Sequence, residues 1–278
     1  MITTTMCSGG AEASVTISEE FRQMAGHSKW ANIKHRKERQ DKKKGKMWSK
    51  CSKAIMAAAR QGGPDPDTNL TLRYAIDEAK YANMPKDTIK RAIEKGAGAS
   101  GGEDFATITY EGYGPGGVAI IVDALTDNKT RTVSDVRNIF NKGGGNLGSA
   151  GAVAFMFDTK GKIVIPADKI GEEDLMERAV EAGADDIQAP EDPTDAEPGF
   201  WTVLTPPTEF LSVKDSLEQA GVPIEDAEVS KIPSNTVEVT GEDVRKLMNL
   251  IDALEDNDDV QKVYTNASIA DEELAGIE

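Results

Sequence analysis

The hydrophobic positions of the chain follow a helical period up to Lys95. From Met47 to Ala59, apolar residues recur every three or four positions, which is typical of an amphipathic helix. We expect this helix to begin near Gln40 and to end at Gly62-Gly63, because glycine readily adopts the left-handed conformation that closes a helix.

Two shorter helices are predicted to follow the first. Thr68 or Asn69 supplies a side-chain cap for the second helix. Pro85 suits the first turn of the third helix, which we expect to end at Gly96. Together the three helices predict a small helical domain of residues 24–96.

The pattern changes to alternation beyond a Gly- and Ala-rich stretch at residues 97–103. Thr107–Glu111 and Val118–Asp123 are predicted to be the strands of one hairpin, and Ala152–Phe157 is predicted to be a further strand. Between them, residues 130–141 carry apolar positions at helical spacing.

Residues 160–234 have their own order of elements, namely strand, helix, two strands, helix and strand. That order is typical of a ferredoxin-like domain. Its middle strands are joined by Pro190–Pro198, a loop with four acids and three prolines. We expect this loop to be mobile because such residues have little apolar surface to bury.

The elements predicted for residues 103–157 are too few to close a core by themselves. We therefore expect residues 235–270 to return and complete that domain, which makes residues 160–234 an insertion. The predicted fold class is α+β: a small N-terminal helical domain followed by two α+β domains, the third ferredoxin-like and inserted in the second.

The composition favours a cytoplasmic protein. No run of about eighteen apolar residues is present, so neither a membrane-spanning helix nor a membrane partner is predicted. Only two cysteines occur, which argues against a disulfide framework. The polar residues 1–23 precede Met24, which resembles a natural start. We interpret them as an added or wrongly assigned leader, the alternative being a disordered arm.

Charge is distributed unevenly along the chain. The formal net charge is −16, with 32 Lys and Arg against 48 Asp and Glu. Residues 27–95 nevertheless carry 18 basic and 8 acidic side chains, whereas residues 96–278 carry 13 and 37. A basic segment in an otherwise acidic chain indicates a polyanionic partner for that segment.

The densest basic segment is Lys29–Lys46, in which nine of eighteen residues are Lys or Arg. Cations at this density neutralise phosphates and release counterions, and an indole stacks on unpaired bases. We predict a nucleic-acid-binding site; the alternative is a solvated charged face. The predicted site residues are Lys29, Trp30, Lys34, His35, Arg36, Lys37, Arg39, Lys42, Lys43, Lys44 and Lys46. Trp48 lies on the apolar stripe instead and is predicted to be a core residue.

The sequence shows no motif for catalysis or for a cofactor. His27 and His35 have no cysteine or carboxylate at metal-ligand spacing, and Gly143–Ser149 lacks the Lys-Ser/Thr pair of a phosphate-binding loop. No acidic residue pairs recognisably with a nucleophile or a base. We therefore expect a protein that is not an enzyme and that has no metal, cofactor or small-molecule substrate.

Four segments carry a family resemblance: Met24–Lys37, Thr109–Ala119, Asp127–Thr132 and Gly148–Val153. In them the chain resembles the YebC family of probable transcriptional regulators, over residues 24 to 270. The resemblance implies a helical domain and two α+β domains in a cytoplasmic, DNA-binding regulator without established catalytic residues. It also implies an alternative, because some family members act on translation at the ribosome and on proline-rich nascent chains. The expected partner is therefore DNA or ribosomal RNA, with the ribosome as a further candidate partner.

The basic segment favours RNA over a specific DNA site. A basic helix can enter the major groove, but lysine discriminates bases poorly, and only Arg36 and Arg39 offer the forked donors that suit guanine. Gly45 is also expected to interrupt a long recognition helix, at a cost of about 1 kcal/mol relative to alanine. Transcriptional control and RNA binding in translation are both open hypotheses at this point.

Overall fold

The fold is given by a computed structural model, which describes residues 41–98, 105–190, 198–270 and 273. The first three elements are the helices α1 (Asp41–Gly62), α2 (Leu70–Tyr81) and α3 (Lys86–Gly98). The later elements are β1 (Ala106–Tyr113), β2 (Ala119–Thr126), α4 (Lys129–Lys142), β3 (Asn146–Leu147), β4 (Phe157–Pro166), α5 (Glu172–Ala182), β5 (Asp186–Gln188), β6 (Phe200–Thr205), α6 (Phe210–Gln219), β7 (Asp226–Pro233), β8 (Val237–Glu238), α7 (Glu242–Glu255), β9 (Val260–Thr265) and β10 (Ala267–Ser268).

Helix α1 continues through Gly45 without a break. The expectation that Gly45 interrupts the helix is therefore wrong. The cost of a helical glycine, about 1 kcal/mol, is offset further along, where Cys51 and Ile55 are buried against the other two helices. Trp48 packs on the same core, as predicted, and its indole Nε1 donates to the carbonyl oxygen of Ala82 at 2.9 Å.

A side-chain cap marks the start of α2, and α3 packs closely against α1. The Asn69 side chain caps α2 by accepting a hydrogen bond from the backbone N–H of Leu72 at 3.1 Å. The prediction that α3 ends at Gly96 is wrong, since the helix runs to Gly98. Gly96 instead lies against the backbone of Met56 in α1, where a side chain has no room.

One sheet joins two distant parts of the chain. Its strand order is β3-β1-β2-β9, and every neighbouring pair is antiparallel. In β9, Thr265 lies opposite Ile120 of β2, so the C-terminal segment returns to the sheet that began at β1. Helices α4 and α7 cover one face of this sheet and bury Phe140, Leu247 and Leu250.

The segment between these two parts forms a second sheet with the order β5-β6-β4-β7. Numbered within the segment, this order is 2-3-1-4, which is the arrangement of a ferredoxin-like fold. Helices α5 and α6 bury Leu175 and Leu217 together with Ile163 and Val203 of the sheet. The predicted fold class is thereby confirmed, including the insertion of the third, ferredoxin-like domain in the second.

The predicted strand Ala152–Phe157 is wrong. Ala154–Met156 forms a 3₁₀ turn, and β4 begins only at Phe157. The physical reason is a competing hydrogen-bond acceptor: three backbone N–H groups of residues 151–154 donate to the carboxylate of Glu111. Those donors are therefore not available to a neighbouring strand.

Some predictions concern residues that the structure does not describe. The leader 1–23 lies outside the described residues, as do residues 191–197 of the acidic loop. The domain limits 24–96, 103–157 with 235–270, and 160–234 stay predictions. Among the described helices, none has both the length and the apolarity needed to cross a membrane.

We expect Gly96→Val to destabilise the helical domain by about 1–3 kcal/mol, the usual cost of overpacking a core. A Cβ at this position lies 2.5 Å from the Met56 carbonyl oxygen, so α1 and α3 must separate. Urea unfolding followed by tryptophan fluorescence measures the loss. The matched control is Gly98→Val on the same helix, where a Cβ meets nothing within 4 Å. Equal midpoints for the two variants contradict the close approach.

Candidate nucleic-acid interface

The predicted site residues fall into two groups. Lys29, Trp30, Lys34, His35, Arg36, Lys37 and Arg39 lie outside the described residues. Lys42, Lys43 and Lys44 lie in the first turn of α1, and Lys46 follows one residue after Gly45. The structure therefore bears directly only on the side chain of Lys46.

Lys46 is already paired within the chain. Its Nζ donates to the carboxylate of Asp256 at 3.0 Å and also to the carbonyl oxygen of the same residue. Asp256 follows α7 directly, so this lysine joins the start of α1 to the end of a helix in the second domain. A nucleic-acid phosphate must compete with that carboxylate for Lys46.

Two further lysines extend this contact along α1. Lys50 and Lys53 follow Lys46 by four and seven positions, a spacing that brings all three to one face of the helix. Lys50 Nζ donates to the Glu255 carbonyl oxygen at 2.6 Å, and Lys53 Nζ to the Asp259 carboxylate at 2.8 Å. The carbonyl groups that end α7 have no partner in their own helix, and they carry partial negative charge that attracts these cations.

Asp259 is the centre of the contact between α1 and the second domain. Its side chain is 8% exposed. Besides Lys53, its carboxylate accepts hydrogen bonds from Arg131 Nη2 at 2.9 Å and from the hydroxyls of Thr132 and Thr126 at 2.8 and 3.2 Å. Burial acts to raise the pKa of Asp259, but the hydrogen bonds from Lys53, Arg131 and Thr132 outweigh it and lower the pKa to about 2.

These hydrogen bonds give a structural role to Asp127–Thr132, one of the four segments that carry the family resemblance. Asn128 caps α4 by accepting from the backbone N–H of Arg131 at 3.1 Å. Arg131 also pairs with Asp127 at 2.8 Å, and this pair holds its guanidinium beside Asp259. The segment therefore serves to position donors around a buried carboxylate.

The carboxylate of Glu111 links two other segments that carry the resemblance, Thr109–Ala119 and Gly148–Val153. Glu111 is buried, and its two oxygens accept from the backbone N–H groups of Gly151, Val153 and Ala154 at 2.7–2.8 Å. Burial acts to raise the pKa of Glu111, and these three hydrogen bonds lower it below its ordinary value. Glu111 thus fixes the loop between β3 and β4.

The helical domain also contacts the ferredoxin-like domain through ion pairs. Lys214 of α6 is buried, and its Nζ lies 3.2 Å from Asp77 of α2 and 3.3 Å from Glu218. Arg73 of α2 pairs with Asp215 at 2.7 Å. The faces of α1 and α2 that meet the other domains are thus committed to internal contacts.

The cations of α3 face solvent instead. Lys86, Lys90, Arg91 and Lys95 are all exposed. In the described part of the chain, the nearest carboxylate paired with any of them is Glu94, 3.9 Å from Lys90. These residues were not predicted as site residues, because they are spaced along a helix rather than clustered in a run. Their signal in the sequence was the excess of basic residues up to Lys95.

Among the described residues we find neither a reactive thiol nor a cluster of metal ligands. The Cys51 thiol is buried, and burial raises its pKa to about 12, so it is not a thiolate at neutral pH. No group of three His, Cys, Asp or Glu side chains that suits a metal ion occurs within the described ranges.

Comparisons with known proteins cover almost the whole described chain. A family model described as the TACO1/YebC protein N-terminal domain matches residues 28–99. A second model, described as the TACO1/YebC second and third domain, matches residues 105–267. The break between the two matches falls within the Gly-rich stretch that separates α3 from β1.

Individual relatives are similar over nearly their full length. A "Probable transcriptional regulatory protein" of Rubrobacter xylanophilus is 50% identical over 91% of this chain and 99% of its own. One of the same name from Persephonella marina is 54% identical over 87% and 95%. The crystal structure of a conserved hypothetical protein from Aquifex aeolicus has a TM-score of 0.73 at 46% identity, covering 83% of this chain and 93% of that one.

We expect Asp259→Ala to cost about 3–5 kcal/mol of stability, because it leaves Lys53 and Arg131 without their buried partner. The folded-state pKa of about 2 lies below the ordinary 3.8, so the carboxylate stabilises the fold above pH 4. That contribution disappears as the pH falls through about 2. Urea unfolding at pH 7 measures the full loss, and at pH 3, between the two pKa values, the difference between the variant and the unmodified protein should already be smaller.

The neighbouring Asp258 provides the matched control for this substitution. Its side chain is exposed, and Lys53 approaches only its carbonyl oxygen, at 3.4 Å. Asp258→Ala should therefore change stability by less than about 0.5 kcal/mol. A similar loss for both variants means that Asp259 does not hold α1 in place.

Proposed function

Because the chain belongs to the TACO1/YebC family, we propose that it is a regulator of gene expression that binds nucleic acid without catalysis. The name that its relatives bear supports the role of a regulator. The binding site we propose comprises the predicted basic segment Lys29–Lys46 together with the exposed cations of α3. We also propose that the protein acts in the cytoplasm, where Cys51 stays a free thiol.

The observation that carries the proposal is the division of cations between two faces of the helical domain. Lys50 and Lys53 of α1 contact the second domain, and Arg73 of α2 contacts the third. The cations of α3 are left exposed. An acidic chain gains no solubility from such a surface, whereas a polyanion gains favourable contacts with it.

Two features support a non-catalytic role. The buried Cys51 is protonated at neutral pH and does not act as a nucleophile. The carboxylates with the most hydrogen bonds, Asp259 and Glu111, are engaged by internal donors. Chemistry at a bound nucleic acid requires a group that is free to reach it.

The lysine content of the proposed binding site favours structured RNA over duplex DNA. Lysine holds a phosphate as a point charge, whereas reading a base edge calls for the forked donors of arginine. Three of the four exposed cations on α3 are lysines. This observation supports the translational alternative, in which the protein acts on ribosomal RNA or on ribosomes that synthesise proline-rich chains.

We expect binding to fall steeply with salt, with a log–log slope steeper than about −3, because several phosphates are neutralised together. The variant Lys86→Glu/Lys90→Glu should reduce the magnitude of that slope by about 2, one for each lost contact. Its unfolding midpoint should not move, since both side chains are exposed. Fluorescence anisotropy with a labelled RNA hairpin measures the slope.

The control carries the same change of charge elsewhere in the chain. Lys169 and Lys246 are more than half exposed and belong to the third and second domains. Lys169→Glu/Lys246→Glu should leave both affinity and slope almost unchanged. If this control weakens binding as much as the α3 variant does, net charge rather than a defined site governs the affinity.

We expect tighter binding to structured RNA than to duplex DNA at matched, near-physiological salt. A transcription factor prefers its site over bulk DNA by about a thousandfold or more, and a lysine-rich surface does not provide that margin. The test is to bind labelled ribosomal RNA to the protein and to measure how much random duplex DNA is needed to displace it. A large excess of DNA should be required. A promoter duplex that resists a thousandfold excess of random DNA, while ribosomal RNA fails to compete, would restore the transcriptional interpretation.

A further inference from the structure

Helix α4 presents an unusual surface for an acidic domain. Its exposed residues include a polar stripe at positions 130, 134, 137 and 141, which lie within about 60° of each other around the helix. Beside this stripe, toward Asp135, lie the exposed Asn138 and Lys142. We call the stripe and these two side chains together the α4 face; its members are Thr130, Ser134, Arg137, Asn138, Asn141 and Lys142. Asp135 is the one exposed carboxylate in α4 itself.

The α4 face is free of the internal pairing that occupies other cations. Its last four side chains form no ion pair or side-chain hydrogen bond with the residues that the structure describes. The Ser134 hydroxyl donates to the Thr130 carbonyl oxygen at 2.9 Å and keeps its acceptor sites. In contrast, Lys214 and Lys262, in the same acidic part of the chain, each contact carboxylates.

The α4 face lies near the helical domain. Arg131, in the first turn of α4, and Lys53 of α1 both contact the carboxylate of Asp259, at 2.9 and 2.8 Å. Two helices from different domains therefore meet at one side chain.

We propose that the α4 face is a second contact surface for the same nucleic acid, and that its occupant is folded RNA. This inference rests on the proposed function. Arg137 and Lys142 neutralise phosphates, while Ser134, Asn138 and Asn141 hydrogen-bond to the 2′-hydroxyl, which both donates and accepts. Four hydroxyl or amide side chains against two cations suit the sugar edge of RNA better than the phosphates of DNA alone.

The composition of the face argues against a protein partner. No large apolar side chain is exposed on α4, whereas protein interfaces place aromatic or aliphatic side chains at their centre. The large exposed apolar side chains in the described residues, such as Phe155 and Val180, lie on other elements. RNA requires no such anchor, because phosphate contacts supply most of its affinity.

The test compares an RNA hairpin with a DNA hairpin of the same sequence, using the full-length protein and fluorescence anisotropy. Arg137→Glu/Lys142→Glu should weaken RNA binding about tenfold and reduce the salt slope by about 2. Ser134→Ala/Asn138→Ala/Asn141→Ala should reduce the ratio of the affinity for the RNA hairpin to that for the DNA hairpin. It should leave the log–log salt slope unchanged, because no cation is removed. Lys169→Glu/Lys246→Glu is again the control, and unfolding midpoints verify that each variant folds.

The possible outcomes separate this inference from the proposed function. If the α3 variant weakens RNA binding and the α4 variant matches the control, the α4 inference is overturned and the proposed function stands. If the α4 variant weakens RNA and DNA hairpins equally, and the alanine variant leaves the RNA preference intact, the commitment to RNA is wrong. If the unmodified protein binds neither hairpin, both proposals fail.

Discussion

The arrangement of the domains depends on one buried carboxylate. Asp259 receives hydrogen bonds from a lysine of α1 and from an arginine and two threonines of the second domain. A buried charge is costly unless donors surround it, so these partners have to be in place together. The contact fixes one face of α1 against the end of α7. Helix α3 packs on the same helical core, and its cations face solvent.

The electrostatics of the chain follow from the same arrangement. The acidic part of the molecule uses carboxylates and helix-terminal carbonyl groups to hold Lys46, Lys50 and Lys53, much as a polyanion would. In the other contact, Asp215 of α6 binds Arg73 of α2 in the same way, whereas Asp77 of α2 binds Lys214 of α6 with the charges reversed. Internal pairing thus makes a polyanion compete for these cations, Lys46 of the proposed site among them. The exposed cations of α3 and of the α4 face meet no such competition, and we assign them to nucleic acid together with the basic segment Lys29–Lys46.

Much of the fold was predictable because it follows from local patterns. Helical spacing located α1 to α3, and the order of elements indicated the ferredoxin-like insertion and the return of the C-terminal segment. The errors share one cause, namely partners that are distant in sequence. Gly45 stays helical because of packing further along α1, and residues 152–156 stay out of a sheet because of hydrogen bonds to Glu111. Likewise, no local pattern shows that Lys46 pairs with a carboxylate 210 residues away. The cations of α3 contributed to the excess of basic residues in 27–95. They were not predicted as site residues because they are spread along the helix rather than clustered in one run.

The central claim is that α1 stays docked through Asp259 while the cations of α3 contact nucleic acid. Amine labelling of the full-length protein, read by mass spectrometry with and without an RNA hairpin, tests it most directly. Lys53, whose side chain is 17% exposed, should react slowly in both states, whereas Lys86, Lys90 and Lys95 should react readily alone and be protected by RNA. The account is contradicted if RNA makes Lys53 reactive, which means that α1 undocks, or if the lysines of α3 react equally in both states.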